Sequence, residues 1–266
     1  MTTKEKRDYR ISLGFTNQEV LKKYFKAKDV YSVNWSLIEI YNQRIVDIFE
    51  KINAVMFEAY QLNEEEFAVF SSKITSAYQV LKETGIIQNK FHNQGRSSED
   101  VYFNWMRGYA VNNFFMKVIA RIFEVNETDI EQLGKDNIEQ LISTRDPSVF
   151  NREAVADLQI SSKNIYVEVQ AGFTGQNDIK ESKANEAKTR YAEKGWSTFV
   201  IHFDLFTGCV AIVNITSLLD NLPDDAWVRN PRFETTVTTA IKPNCFNWRI
   251  VHALPEDPKT LYSIIA

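Results

Sequence analysis

Residues 156–170 read ADLQISSKNIYVEVQ, and this pattern predicts two short β-strands joined by a polar turn. Side chains alternate between the two faces of a strand, so Tyr166, Glu168 and Gln170 should share one face. The hairpin would also bring Asp157, at the start of the first strand, near Glu168. Two carboxylates at the rim of a sheet form a hard-oxygen site for Mg²⁺. A divalent ion held there can activate water and neutralise charge on a phosphodiester.

The residues that follow the hairpin predict a crossover helix and two more strands. Residues 178–194 carry small apolar side chains at helical spacing, with Asp178 expected to cap the helix and Gly195 to end it. Residues 196–204 and 209–215 are largely apolar and predict strands joined by a turn. A helix between strands requires a crossover and therefore at least one parallel strand pair. We expect an α+β protein with an α/β-like core, in which helices flank a mixed β-sheet.

This arrangement resembles the core of the PD-(D/E)XK nuclease superfamily, which includes many type II restriction endonucleases. The family pattern is Asp, a variable hairpin, then Asp/Glu-x-Lys. Asp157, Glu168, Val169 and Gln170 match the four motif positions in turn. Gln170 departs from the family Lys, but some restriction endonucleases of this fold use Glu-x-Gln. The resemblance extends roughly from Arg107 to Ile215 and includes the strand, strand, helix, strand, strand order.

The resemblance implies a role for each matched residue. Asp157, Glu168 and the backbone carbonyl of Val169 would hold Mg²⁺, and Gln170 would position the attacking water or the scissile phosphate. Because a Gln amide has no positive charge, Lys183 or Lys188 on the crossover helix would supply the missing cation.

The expected activity is Mg²⁺-dependent hydrolysis of double-stranded DNA at a short specific sequence, as in a type II enzyme of a restriction–modification system. One alternative is a structure-specific repair or recombination nuclease of the same fold. The other is a catalytically inactive DNA-binding module, and the replacement of the family Lys by Gln170 is the feature that favours it.

Composition limits the classes of protein to which the chain can belong. The chain has 266 residues, is 44% hydrophobic, and has a net charge of −4. It has no run of eighteen apolar residues, so a membrane span is not expected. Two cysteines and three separated histidines predict neither a disulfide framework nor a zinc site. The charged start of the chain lacks an apolar signal segment, which favours the cytoplasm of a prokaryotic cell.

The N-terminal half is predicted to be helical. Residues 35–60, 64–84 and 99–124 show apolar side chains at three- and four-residue steps, and a polar loop is expected over residues 88–98. We therefore divide the chain into a helical region (1–98), a nuclease core (99–220) and a β-rich extension (221–266). The apolar seam from Ile38 to Val55 fits either an ordinary core helix or the interface of a homodimer.

Basic residues outside the motif are candidates for DNA contacts. Residues 227–250 contain four bases and one acid. The candidates for phosphate binding are Arg107, Arg190, Arg229, Arg232, Lys242 and Arg249. Residues 235–241 and 246–254 are expected to form a hairpin, which could enter a DNA groove or close the edge of the sheet.

Overall fold

A computed structural model describes residues 3–15, 20–21, 24, 33–91, 96–133, 137–151, 156–173, 177–229 and 236–264. Its strands are β1 (Glu131–Gln132), β2 (Leu158–Ile160), β3 (Ile165–Gly172), β4 (Asp178–Lys180), β5 (Ser197–Asp204), β6 (Cys209–Asn214), β7 (Val228–Arg229), β8 (Val237–Ala240), β9 (Trp248–Arg249) and β10 (Tyr262–Ile264). Its helices are α1 (Thr3–Ser12), α2 (Trp35–Val55), α3 (Glu64–Glu83), α4 (Ile86–Lys90), α5 (Ser98–Phe114), α6 (Met116–Ile122), α7 (Ile138–Thr144), α8 (Glu181–Lys194) and α9 (Leu218–Asn221). None of the described helices is long and apolar enough to cross a membrane.

The strands form a central mixed sheet and a smaller antiparallel one. The central sheet has the order β1-β2-β3-β5-β6-β10, and β9 also pairs with β6. The pairs β3–β5 and β6–β10 are parallel, whereas β2–β3 and β5–β6 are antiparallel. The second sheet has the order β4-β8-β7. The predicted α+β class, with a mixed sheet, flanking helices and a helical N-terminal region, is therefore confirmed.

The central sheet separates two hydrophobic cores. On one face, Val167, Val169 and Phe203 pack with apolar side chains of α2, α3, α5 and α6. On the other face, Val200 packs with Ala184 of α8, and with residues of α9 and β4. Strand alternation explains this division, because neighbouring residues of β3 and β5 point to opposite faces.

Local capping explains several helix boundaries. Asn63 and Glu66 form a reciprocal capping box at the start of α3. Gly195 adopts φ +71° and its N–H donates to the carbonyl of Tyr191, so it ends α8 as predicted. Asp178 was wrongly predicted as the cap of α8, because the backbone of residues 178–180 pairs with β8 and buries Ile179.

Other predicted boundaries also change. The helix expected over residues 35–60 ends at Val55, and the one over residues 99–124 is interrupted at Phe115. The ring of Phe115 stacks on that of Phe203 with centroids 3.9 Å apart, so packing on the sheet accompanies the break. A loop was expected over residues 88–98, but residues 88–90 belong to α4. Residues 92–95 lie outside the described part of the chain.

The predicted C-terminal hairpin is wrong. Residues 237–240 pair with β4 and β7, whereas Trp248 and Arg249 pair with β6 of the central sheet. The connecting segment buries Cys245 in the second core, but Trp248 enters the first core on the opposite face. After Arg249 the chain turns, and the N–H of His252 donates to the Arg249 carbonyl, which ends the predicted alternation.

The seam of α2 is mainly internal. Ile38, Ile45 and Ile52 are buried in the first core, whereas Ile48 and Val55 are 41% and 63% exposed. The interpretation as an ordinary core helix is therefore confirmed for Ile38, Ile45 and Ile52. Only the outer edge of the seam is accessible to a second protein.

Candidate active site

The β2–β3 hairpin brings the two predicted carboxylates together. Leu158 pairs with Val167, which places Asp157 opposite Glu168 in the antiparallel register. The Asp157 Oδ2 atom accepts a hydrogen bond of 2.9 Å from the Val169 N–H. The carbonyl of Asp157 accepts from Leu133 at 3.0 Å, which ties this residue to the chain beyond β1. A side-chain bond to β3 and a backbone bond to Leu133 therefore fix the position of Asp157.

Glu168 is buried among charged partners. Its side chain is 6% exposed, and its Oε1 atom lies 3.2 Å from both Lys183 Nζ and Arg190 Nη1. Glu186 pairs with the same two cations, at 3.1 Å from Lys183 and 3.2 Å from Arg190. These four side chains form a compact network of two acids and two bases, called the Glu168 network below.

Burial dominates the titration of Glu168. Loss of solvent raises the pKa of its carboxyl, with Lys183 opposing the shift and the charge of Asp157 adding to it. Burial also acts to lower the pKa of Lys183, but Glu168 and Glu186 together outweigh burial and leave that pKa raised. Lys183 therefore keeps its positive charge at neutral pH.

Helix periodicity explains why α8 delivers both cations. Lys183, Glu186 and Arg190 are separated by three and four residues, which puts them on one flank of the helix. Ala184 and Ala187 are fully buried, and their small side chains let the helix approach the sheet closely. The Arg190 guanidinium also lies 5.3 Å from the centre of the Tyr166 ring, which fixes its direction.

Gln170 belongs to a second polar group on the same face. Its Oε1 atom is hydrogen-bonded to Asn177 Nδ2, and Asn177 Nδ2 lies 2.7 Å from Nδ1 of His202. His202 faces Gln170 across the parallel β3–β5 pair and is fully buried. Burial lowers the pKa of His202 to about 4, despite the opposing charge of Asp204, so the ring is neutral at pH 7.

Asp204 extends this polar row to the end of β5. It is buried, and its Oδ1 atom accepts from the N–H groups of Phe206 and Thr207 at 2.9 and 3.1 Å. Its Oδ2 atom and Nε2 of His202 are buried without a hydrogen-bond partner in the described structure. Buried polar atoms without a hydrogen-bond partner cost free energy, so their presence on a strand at the centre of a sheet is unusual.

The other predicted site residues lie outside this cluster. Lys188 pairs with Asp220 at 2.5 Å on the surface. Arg107 lies on α5, where its guanidinium is 5.7 and 5.4 Å from the rings of Phe103 and Phe173, and burial lowers its pKa.

The C-terminal basic residues are also separate from the carboxylates. Arg249 donates to the Thr207 carbonyl at 3.2 and 3.0 Å. Arg229 is exposed on β7, and Lys242 is exposed before a short 3₁₀ turn. Arg232 lies outside the described residues.

Sequence reasoning missed Asn177, Glu186 and Asp204. Asp204 could have been found, because His202 and Asp204 are polar residues two apart that follow the apolar run from Phe199 to Ile201. Glu186 lies three residues after Lys183 and was also accessible to helix periodicity. Asn177 had no local signal, since it reaches Gln170 only through the path of the chain between β3 and β4.

The donor set suits a hard divalent cation. Asp157, just before β2, and Glu168, on β3, supply the two carboxylates, and the nuclease resemblance predicts the Val169 carbonyl as a further ligand. In the part of the chain that is described, no three His, Cys, Asp or Glu side chains form a metal-binding group. An ion at this position would therefore rest on two side chains and backbone oxygen.

Comparison with known proteins does not place the chain in a family, since no protein-family model, curated protein or solved structure matches it.

Proposed function

We propose that the protein is a Mg²⁺-dependent endonuclease that hydrolyses phosphodiester bonds of double-stranded DNA at a short specific sequence. The observation that carries the proposal is the β2–β3 register, which puts Asp157, just before β2, opposite Glu168 on β3, with Lys183 3.2 Å from Glu168. Two carboxylates and a cation are the groups that the Asp…Glu-x-Lys pattern combines. In this proposal the cation comes from α8 instead of the last motif position, where Gln170 stands.

Asp157, Glu168 and the Val169 carbonyl would hold Mg²⁺, which when bound supplies activation of water and neutralisation of phosphate charge. Burial raises the pKa of Glu168, which shows that its charge is costly away from water. A divalent cation would reduce that cost. Lys183 and Arg190 reduce it in the structure described here.

Lys183 is the proposed cation for the scissile phosphate. Its raised pKa keeps the ammonium protonated, and its four-carbon stem allows the Nζ atom to turn from Glu168 toward a phosphate oxygen. Arg190 is held by Glu168, Glu186 and the Tyr166 ring, so we assign it to holding the Glu168 network. Gln170 supplies an amide on the same face, suited to a hydrogen bond with water or phosphate.

We further propose that the enzyme acts as a homodimer in the prokaryotic cytoplasm. One active site per chain and two-fold symmetry suit a palindromic DNA site, because each protomer then cuts one strand. The exposed edge of α2 around Ile48 is the proposed contact. Light scattering of the protein with Ca²⁺ and DNA should show two chains per complex, and Ile48→Glu should reduce this to one without unfolding.

A catalytically inactive DNA-binding module is the second candidate. It is favoured by the double ion pair of Glu168 with Lys183 and Arg190, which neutralises the buried carboxylate without a metal. A structure-specific repair or recombination nuclease is a variant of the main proposal, with the same site and a different choice of DNA.

A plasmid digest with and without Mg²⁺ tests the proposal. Discrete bands that depend on Mg²⁺ are expected from a sequence-specific endonuclease. Cleavage restricted to branched or damaged DNA would support the structure-specific nuclease. No cleavage of any DNA, together with a gel shift, would overturn the proposal in favour of the binding module.

A further inference from the structure

We infer that Asn177 and His202 are positioning residues that fix the side-chain amide of Gln170, so that Gln170 offers its NH₂ group and not its carbonyl oxygen to the Asp157–Glu168 site. The role of Gln170 in catalysis rests on the proposed function, but the hydrogen bonds among these three side chains do not. We call this chain of three side chains the amide relay.

Donor and acceptor rules fix the direction of the amide relay. Asn177 Nδ2 lies within hydrogen-bond distance of both Gln170 Oε1 and His202 Nδ1. An amide nitrogen only donates, so both partners must accept. Nδ1 of the neutral His202 ring is therefore unprotonated, and its proton is on Nε2. The carbonyl of Gln170 accepts from Asn177, whereas its NH₂ group has no hydrogen-bond partner among the described residues.

The amide relay is anchored on both sides. His202 is fully buried on β5, with the ring of Phe246 edge-on at a centroid distance of 5.6 Å. The backbone carbonyl of Asn177 accepts from the Ile241 N–H at 2.8 Å, which links the relay to the chain after β8. His202 is thus held by β5, and Asn177 by the chain that follows β8. The second sheet therefore helps to set the orientation of Gln170.

This orientation distinguishes two roles that a glutamine could have in such a site. A carbonyl oxygen could bind Mg²⁺, whereas an NH₂ group can donate only to water or to a phosphate oxygen. The amide relay selects the second role. It limits the protein ligands of the ion to the two carboxylates and backbone oxygen, and makes Gln170 a donor toward the anionic substrate.

The tautomer of His202, read by nitrogen NMR at neutral pH, tests the relay without any DNA. The expected form in the unmodified protein has the proton on Nε2. A proton on Nδ1 would overturn the inference, because Asn177 would then have to accept and Gln170 would present its carbonyl. Asn177→Asp should shift the proton to Nδ1, since a carboxylate only accepts. Asn185→Asp is the matched control, because this exposed amide of α8 donates to the Glu181 carbonyl and to no other described residue.

Single-turnover cleavage tests the positioning role. Asn177→Ala should slow the reaction about as much as Gln170→Ala, on the order of a hundredfold for loss of a positioned catalytic contact. The double variant should be no slower than Gln170→Ala alone, because both changes remove one interaction. Additive losses would overturn the positioning role. If the unmodified protein cuts no DNA, the proposed function fails, while the tautomer still decides the relay.

Discussion

The two faces of the central sheet are built from the same strands but have opposite chemistry. On β3 and β5, Val169 and Phe203 face a core of aliphatic and aromatic side chains. Their neighbours Glu168 and His202 are equally buried on the other face, among ion pairs and hydrogen bonds. The first face accounts for stability through apolar burial. The second contains polar atoms that have no hydrogen-bond partner among the described residues, which stability does not explain and function can.

The apolar face should respond most strongly to truncation. Phe203→Ala removes a buried ring stacked on Phe115 and should lower the free energy of unfolding by about 3–5 kcal/mol. Gln170→Ala on the polar face loses a half-buried hydrogen bond and should cost about 1 kcal/mol. Urea unfolding of both variants measures the difference. Equal losses would mean that the polar face is also mainly structural.

The polar face should respond most strongly in catalysis, and two lysines of α8 provide a matched pair. Lys183→Met should slow single-turnover cleavage by roughly a hundredfold or more, because it removes a cation from the site. Lys188→Met breaks only the surface pair with Asp220 and should leave the rate nearly unchanged. DNA affinity is measured beside each rate. Equal rates in the two variants would exclude Lys183 from the chemical step.

His202 should make the stability of the polar face sensitive to acid. In the unfolded chain its imidazole takes up a proton near pH 6.5, whereas burial keeps the folded pKa near 4. The unfolded state then binds more protons, so stability falls as the pH drops between these values. From pH 7.5 to pH 5 this contribution is roughly 2 kcal/mol.

Urea unfolding at the two pH values measures this loss. His202→Asn should remove the contribution, and the exposed His252→Asn should leave it unchanged. A pH dependence that is the same in all three proteins would mean that His202 titrates normally in the folded state.

The face division could be predicted from sequence because it depends on local alternation. Tyr166, Glu168 and Gln170 share the polar face as their spacing predicts, and Gly195 ends the crossover helix. The local sequence offers no reason to reject a hairpin between residues 235–241 and 246–254, although the structure does not form it. Both segments have strand-like composition, and their separation into two sheets depends on burial of Cys245 and Trp248 on opposite faces.

The choice between Lys183 and Lys188 shows the same limit within one helix. At about 100° per residue, the two lysines lie on opposite flanks of the buried Ala184–Ala187 stripe, and Arg190 lies on the flank of Lys183. Sequence periodicity therefore separates the lysines but does not say which flank faces Glu168. Packing of α8 on the sheet decides this, and it also gave Arg190 a partner in Glu168 that was not predicted.

We propose above that Asp157, which is half-buried, and Glu168, which is buried, hold the ion used for DNA cleavage. The most direct measurement is Mg²⁺-dependent single-turnover cleavage by Asp157→Asn and Glu168→Gln beside the unmodified protein, with the exposed Glu193→Gln as control. Circular dichroism checks that each variant is folded. We predict that both site variants bind DNA and fail to cut it, because each loses a ligand of the ion, while the control cuts normally. Cleavage at the unmodified rate by folded Glu168→Gln would show that Glu168 does not hold the ion.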